Sequence, residues 1–309
     1  MSALWININR NGGLGNRLFA RAHVYAAARE FGATVADWGL IDQARHFPAL
    51  AGRPLPSYPL AESGAAPDLP TRWWLDPKLL GLARRLRPRR TGRLGPIWSA
   101  YWGSGNVDSM ALDGPEFRAF ATGREVLVLD GYKLRCVPWL RKHADEVRRY
   151  FAPPQVLAAK WAALQDAWHQ RWERTVAVHM RATDFRHAQG GRFYLTPSEY
   201  ADALRARAEI DLDKTLFVLF SDEDYLGKVA FDDLSKAYAG LNHVFMHGSV
   251  LDDLVGIGSC DWVVGPASST FSRWAAFAQN RRWAGVSRPQ NGAAAAGFVV
   301  KESVIPWDY

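Results

Sequence analysis

Three short polar stretches in the second half of this 309-residue chain carry residue types suited to holding an anion. The first is His179-Met180-Arg181-Ala182-Thr183-Asp184, directly after the apolar run Thr175-Val176-Ala177-Val178. A guanidinium can make two parallel charge-assisted hydrogen bonds to a phosphate, so Arg181 is the first candidate for an anion contact, with Asp184 beside it to orient it. The second is Ser221-Asp222-Glu223, after the run Thr215 to Phe220. A carboxylate at Asp222 accepts N–H bonds, and the edge of guanine offers adjacent donors. The third is Pro266-Ala267-Ser268-Ser269-Thr270-Phe271, after Asp261 to Val264. A hydroxyl of Ser268, Ser269 or Thr270 would cap the following helix, whose free N–H groups suit a phosphate beside Arg181. Each stretch also has a purely structural reading: an ion-pair network for the first, N-caps for the other two.

A fourth candidate lies near the amino terminus, where Leu4 to Ile8 runs into Asn11-Gly12-Gly13-Leu14-Gly15-Asn16-Arg17. Glycine lets backbone approach a ligand closely, and the helix that starts at Asn16 offers unpaired N–H groups. Gly13 and Gly15 have the spacing of a dinucleotide fingerprint, and Asp37 stands where the ribose-binding acid would be. The third glycine of that pattern is replaced by Leu18, which speaks against a nicotinamide cofactor.

The elements that must position these stretches alternate between strand and helix. The first half reads as strand Leu4 to Ile8, a helix stopped by Gly32, strand Thr34 to Asp37, strand Glu125 to Asp130 and helix Pro138 to Tyr150. Between Phe47 and Gly114 the periodicity fades. The pairs Trp73-Trp74 and Tyr101-Trp102 there either fill a core or stack on the apolar faces of sugars. After Pro153-Pro154 comes a helix from Gln155 to Trp172, then strands from Thr175, Thr215, His243, Asp261 and Arg282. Helices are expected from Thr196-Pro197-Ser198-Glu199, a capping box, and from Glu223, Ser249 and Ser269. This rhythm predicts α/β architecture with parallel sheets, divided as 1–152, 153–286 and a tail, 287–309. The three polar stretches then fall at the carboxyl ends of strands, where open α/β sheets bind ligands.

Composition narrows the class. No apolar run approaches the roughly 20 residues needed to span a bilayer, and Met1 leads into a short strand rather than a leader sequence. Cys136 and Cys260 are far apart and lack metal-ligand spacing, which fits a reducing cytoplasm. The net charge of +7 favours an anionic partner. Much of the excess lies in Arg84 to Arg93, read as a solvated loop or as a peripheral contact with anionic lipid. No nucleic-acid reader motif accompanies it, so no nucleic acid is expected.

Taken together, Gly13-Leu14-Gly15-Asn16-Arg17-Leu18-Phe19, His179-x-Arg181-x-x-Asp184, Phe220-Ser221-Asp222 and Ser269-Thr270-Phe271-Ser272-Arg273-Trp274-Ala275-Ala276 resemble, in order and spacing, the motifs of α1,2-fucosyltransferases. They are similar, more distantly, to those of α1,6- and protein O-fucosyltransferases. The resemblance implies a GT-B fold, two Rossmann-like domains facing across a cleft. It also implies a GDP-fucose donor, inversion at the anomeric carbon, and neither cofactor nor metal. By that likeness Arg181 neutralises the departing pyrophosphate, His179 and Asp222 contact the guanosine part, and Ser269, Thr270 and Phe271 hold phosphate and base. Gly15 and Asn16 border the fucose, and Gly13 belongs to the donor-binding loop. Two positions depart from the pattern: Ala182 replaces a second arginine, and Arg17 replaces a glutamine. His187 and Glu199 are candidates for a general base, and neither is assigned. The expectation is a cytoplasmic, membrane-peripheral bacterial enzyme forming an α1,2 linkage on a surface glycan or lipid-linked oligosaccharide. Its rivals are a transferase using another nucleotide sugar and a non-catalytic basic protein that binds glycan or nucleic acid.

Overall fold

The computed structural model describes residues 3–10, 12–51, 56–59, 91–93, 99–103, 110–131, 133–223, 228–288 and 301–303. The chain divides into two compact units, Met1–Ala152 and Pro153–Tyr309. Trp73, Trp74 and Arg84 to Arg90 lie outside the described residues.

Unit 1 contains β1 (Leu4–Asn7), α1 (Leu14–Glu30), β2 (Thr34–Asp37), β3 (Ser57–Tyr58), β4 (Thr91–Arg93) and β5 (Ser99–Gly103). It continues with β6 (Met110–Ala111), α2 (Pro115–Ala121), β7 (Val126–Asp130), β8 (Leu134–Arg135), α3 (Val137–Lys142) and α4 (Ala144–Tyr150). Its main sheet has the order β3-β2-β1-β7-β5-β4, parallel in the centre with antiparallel edges at β3 and β4. β1 and β7 are buried at every position, as near-continuous apolar strands covered on both faces should be. The stretch where periodicity faded still yields sheet. Tyr101 and Trp102 belong to β5, which pairs with β7 in parallel register.

Two boundaries in unit 1 differ from expectation. α1 begins at Leu14, because Gly13 takes extended backbone at the N-cap and its carbonyl accepts from Arg17 N–H at 3.2 Å. Gly15 and Asn16 therefore lie in the first helical turn. The single helix expected from Pro138 to Tyr150 is two, since His143 leaves helical backbone. There its imidazole and the Lys142 ammonium both reach Glu30 of α1, at 2.6 and 2.7 Å. This tertiary contact overrides a continuous local pattern.

Unit 2 contains α5 (Gln155–His169), β9 (Arg174–Met180), α6 (Pro197–Arg205), β10 (Thr215–Ser221), α7 (Lys228–Ala237) and β11 (His243–Phe245). Then come α8 (Val250–Ser259), β12 (Trp262–Pro266), α9 (Thr270–Ala278), β13 (Arg282–Val286) and β14 (Lys301–Ser303). The sheet order is β11-β10-β9-β12-β13-β14, with β9 to β13 parallel and β14 antiparallel at the edge. Part of the stretch read as a tail thus completes the sheet. The capping box forms as the sequence predicts: Thr196 Oγ1 accepts from Glu199 N–H and the Glu199 carboxylate accepts from Thr196 N–H. Trp161 of α5 is fully buried against Gly256 of α8, where even a Cβ would sit 2.4 Å from the indole.

Candidate functional site

Strand register in unit 2 decides which side chains share an edge. His179 pairs with Phe220, Met180 with Ser221, and Val178 with Val264. Three adjacent parallel strands, β10, β9 and β12, therefore deliver Ser221 to Glu223, His179 to Asp184 and Pro266 to Phe271 to one carboxyl edge. Gly13, Gly15, Asn16 and Arg17 belong to unit 1.

Arg181 stands at the centre of that edge. Its Nε and Nη2 donate to Asp184 at 2.8 and 2.7 Å, and its guanidinium lies 5.0 Å from the centre of the Phe185 ring. The hydrogen bonds from Arg181 hold the Asp184 carboxyl below its usual range. With two of five donors used, the Nη1 side of the fork is open to an anion. Asp222 has a task not visible in the sequence. Oδ1 accepts from Ala182 N–H at 2.7 Å and Thr183 N–H at 3.3 Å, and Oδ2 accepts from Thr183 Oγ1 at 2.7 Å. It thereby fixes the backbone immediately after Arg181. Ala182, at the position of the second arginine of the motif, is buried.

His179 is buried in β9, its ring 5.3 Å from that of Phe271 and its Nδ1 without a hydrogen-bond partner in the protein. Burial, then the nearby Arg181 charge, lower its pKa to about 4 against a weaker opposing pull from Asp222, so the imidazole is neutral near pH 7. Beside it in β12, Gly265 leaves room for Ser272 of α9, since a Cβ there would stand 2.5 Å from Ser272 Oγ and in ordinary contact, 3.6 Å, with His179 Cβ. Of the three hydroxyls considered as caps, Ser269 is the N-cap, accepting from Ser272 N–H at 3.4 Å. Thr270 opens the helix and Phe271 follows, partly buried against His179. The turn is held by Ser269 N–H to Pro266 O at 2.8 Å and by Arg273, which donates to Ala267 O while stacked 4.4 Å over Trp283.

In the loop before α1 the glycine with a conformational demand is Gly12, which has φ of +82°. A Cβ there would lie 2.6 Å from Asn16 Nδ2, so the asparagine packs into the space glycine leaves. Gly13 is exposed with open space around it, whereas Gly15 is buried. Arg17 braces this loop: Nε donates to Gly12 O at 3.1 Å and Nη1 to Asp42 at 3.0 and 2.8 Å. Asp37 is not available to a ribose. It is fully buried, ion-paired to Arg21 at 2.8 Å, and accepts from Tyr25 OH at 2.8 Å and Asn7 Nδ2 at 3.3 Å. The dinucleotide reading of this loop loses its acid for that reason.

Two further carboxylates change the inventory. Glu199 accepts from Thr196 N–H and Oγ1 and takes both forks of Arg288, at 2.7 and 2.8 Å. Although burial opposes it, these donors hold the carboxyl below its usual range, which suits a clamp and not a general base. His187 is exposed on the loop after β9. Asp253, in the first turn of α8, was missed in the sequence. Its neighbour Asp252 is engaged by Lys160 at 2.7 Å and Trp161 Nε1 at 2.8 Å. Asp253 Oδ1, by contrast, is buried with no donor, and burial raises the carboxyl to about 6. In sequence the two acids after the Ser249 cap look like ordinary first-turn residues, and only packing tells them apart. Cys136 and Cys260 are buried free thiols, and among the described residues no group of His, Cys, Asp and Glu forms a metal cluster.

No protein-family model and no curated protein sequence matches this chain. Solved structures do. A GDP complex of a point mutant of Arabidopsis thaliana FUT1 superposes with a TM-score of 0.58 at 14% identity, covering 94% of this chain and 72% of that one. NodZ α-1,6-fucosyltransferase soaked with GDP-fucose gives a TM-score of 0.55 at 16% identity, covering 97% and 99%. Fucosyltransferase NodZ from Bradyrhizobium likewise gives 0.55 at 15% identity, covering 98% and 99%. At such identities the likeness is one of fold: two Rossmann-like α/β units of the GT-B type, as in these fucosyltransferases.

Proposed function

We propose that this chain transfers fucose from GDP-fucose to a hydroxyl of a glycan, with inversion and an α1,2 linkage. The observation that carries this reading is the meeting of Arg181, neutral His179 and the Ser269-capped start of α9 on one sheet edge. The fold around it is shared with proteins crystallised with GDP and GDP-fucose.

In this reading the pyrophosphate takes the open Nη1 side of Arg181, the first N–H groups of α9 and the Thr270 hydroxyl. Departure of GDP leaves oxocarbenium character on the sugar and extra negative charge on the leaving group. Fixed donors stabilise that state more than the ground state. Because Ala182 leaves Arg181 as the one arginine of its motif, α9 supplies the remaining N–H donors, and no metal is required. His179 offers Nδ1 to the guanosine part without adding charge. Asp222 already accepts at both oxygens, whereas Asp253 Oδ1 has no donor although Gly248 N–H engages its carboxyl, so Asp253 stands beside Asp222 as a second candidate for the adjacent donors of guanine.

We place the reaction at the cytoplasmic face of a bacterial membrane, on a surface glycan or lipid-linked oligosaccharide, with Arg84 to Arg93 as the basic contact. The buried free thiols fit a reducing compartment, and no helix among the described residues is long and apolar enough to cross a membrane. The test is nucleotide release from GDP-fucose, GDP-mannose and UDP-galactose over a panel of oligosaccharide acceptors. Release and an inverted fucoside from GDP-fucose alone support the reading. Turnover of another donor, or of none, refutes it.

A further inference from the structure

Beyond Arg181, the loop between β9 and α6 stacks cations and rings in succession. The Arg181 guanidinium lies over Phe185, Phe185 packs against Phe193 at 5.7 Å with a 46° tilt, and the Arg192 guanidinium lies 4.7 Å over Phe193. The loop holds this stack in place at both ends. Near β9, Arg186 N–H donates to Ala182 O at 3.0 Å and its guanidinium to Glu223 at 2.7 and 2.8 Å. At the far end Gly190 and Gly191 take φ of +69° and +77°, and Tyr194 N–H closes a turn on Gly191 O at 3.0 Å. Arg192 and Phe193 are the two central residues of that turn. A Cβ on Gly191 would meet Arg186 O at 3.0 Å, so the turn is packed against the anchored end.

The arginines of this region are not equivalent. Arg181 has Asp184, Arg186 has Glu223 and Arg288 has Glu199, whereas Arg192 is exposed and has no carboxylate partner among the described residues. A guanidinium laid on an aromatic face at a turn loses less freedom on binding an anion than one on a mobile side chain. Phe193 is partly exposed and offers apolar surface to the C–H face of a sugar, while Phe185 is buried and supports it from beneath.

We propose that Arg192 and Phe193 form an acceptor subsite for an acidic sugar, one bearing a carboxylate or phosphate, reached from Arg181 along the Phe185–Phe193 stack. The assignment rests on the fucosyl-transfer reading for the identity of the centre at Arg181, and it makes the favoured acceptor an acidic glycan. The net charge of +7 is consistent with such a partner.

The test is calorimetry at fixed low ionic strength, in two separate titrations. GDP is titrated first and reports on the donor reading alone. Tetragalacturonate and a neutral tetrasaccharide of glucose are then titrated into the full chain, both free and with GDP present. We expect the acidic oligosaccharide to bind at least tenfold more tightly than the neutral one. Arg192→Ala should abolish that preference, Arg192→Lys should retain part of it, and neither variant should alter GDP affinity. Equal binding of the two saccharides, binding of neither, or an unchanged preference in Arg192→Ala would overturn the subsite whatever GDP does.

Discussion

Arg181 and Asp184 are joined fork to fork, Nε to Oδ1 at 2.8 Å and Nη2 to Oδ2 at 2.7 Å, so the orientation of the guanidinium is set by a residue three positions along the same loop. Asp222 fixes the intervening backbone. A cation held in this way needs little reorganisation as charge develops on a leaving group.

Asp184→Asn should therefore lower turnover far more than it lowers stability. The pair is partly exposed, and such pairs contribute about 0–1 kcal/mol to folding. A guanidinium no longer held in register should lose on the order of 10- to 100-fold in kcat, with a smaller change in KM. Steady-state kinetics beside a thermal melt separates the two. Unchanged kcat would remove Asp184 from the positioning role.

Asp253 titrates at about 6 because of its burial. If it accepts from guanine, it must be ionised to do so, and donor affinity should fall as pH drops through about 6. GDP-fucose is the appropriate ligand, since it lacks the terminal phosphate ionisation of GDP. Affinity should decline between pH 7 and pH 5 in the wild type. In Asp253→Asn it should be lower throughout and flat over that range. A parallel decline in both proteins would assign the dependence elsewhere.

His179 leaves a signature in stability. Its folded pKa, about 4, is depressed below the usual 6.5 by burial and by Arg181. Above pH 6.5 neither state is protonated and the contribution to stability is full. As pH falls from 6.5 towards 4 the unfolded chain takes up the proton and the folded chain does not, so stability is lost. The loss should reach about 2 kcal/mol at pH 5. Urea titrations of wild type and His179→Gln at pH 7 and pH 5 check this. The wild type should show the larger loss, and equal losses would mean that the imidazole is not held neutral.

Gly12→Ala should cost about 1–2 kcal/mol from the left-handed backbone alone, and it should displace Asn16. Gly13→Ala, in extended backbone with open space around it, should leave stability unchanged. Melts of the two variants test the distinction. GDP affinity, which the proposal assigns to residues of unit 2, should hold in both variants.

The contrast between these glycines shows how far the sequence could be read. Motif spacing drew attention to Gly13 and Gly15, but the demand for glycine comes from a backbone angle at Gly12 that spacing does not encode. Apolar runs bounded by charge revealed β9, β10 and β12, and hence the shared edge, because strands buried on both faces leave a strong local signal. β5 gave none, since its place beside β7 is set by pairing across a long stretch of weak periodicity. The same division holds for charge. Asp184 was legible as the partner of Arg181 because the two are close in sequence. The Asp222 contact with Ala182 and Thr183, the Glu199–Arg288 pair and the orphaned Asp253 oxygen arise from tertiary packing.

The most direct measurement is calorimetric titration of GDP, with UDP as control, into wild type and Arg181→Ala. We expect GDP to bind the wild type, UDP to bind far more weakly, and Arg181→Ala to lose at least tenfold in GDP affinity while melting at the wild-type temperature. Failure of GDP to bind, or full GDP affinity in a folded Arg181→Ala protein, would contradict a nucleotide site built on Arg181.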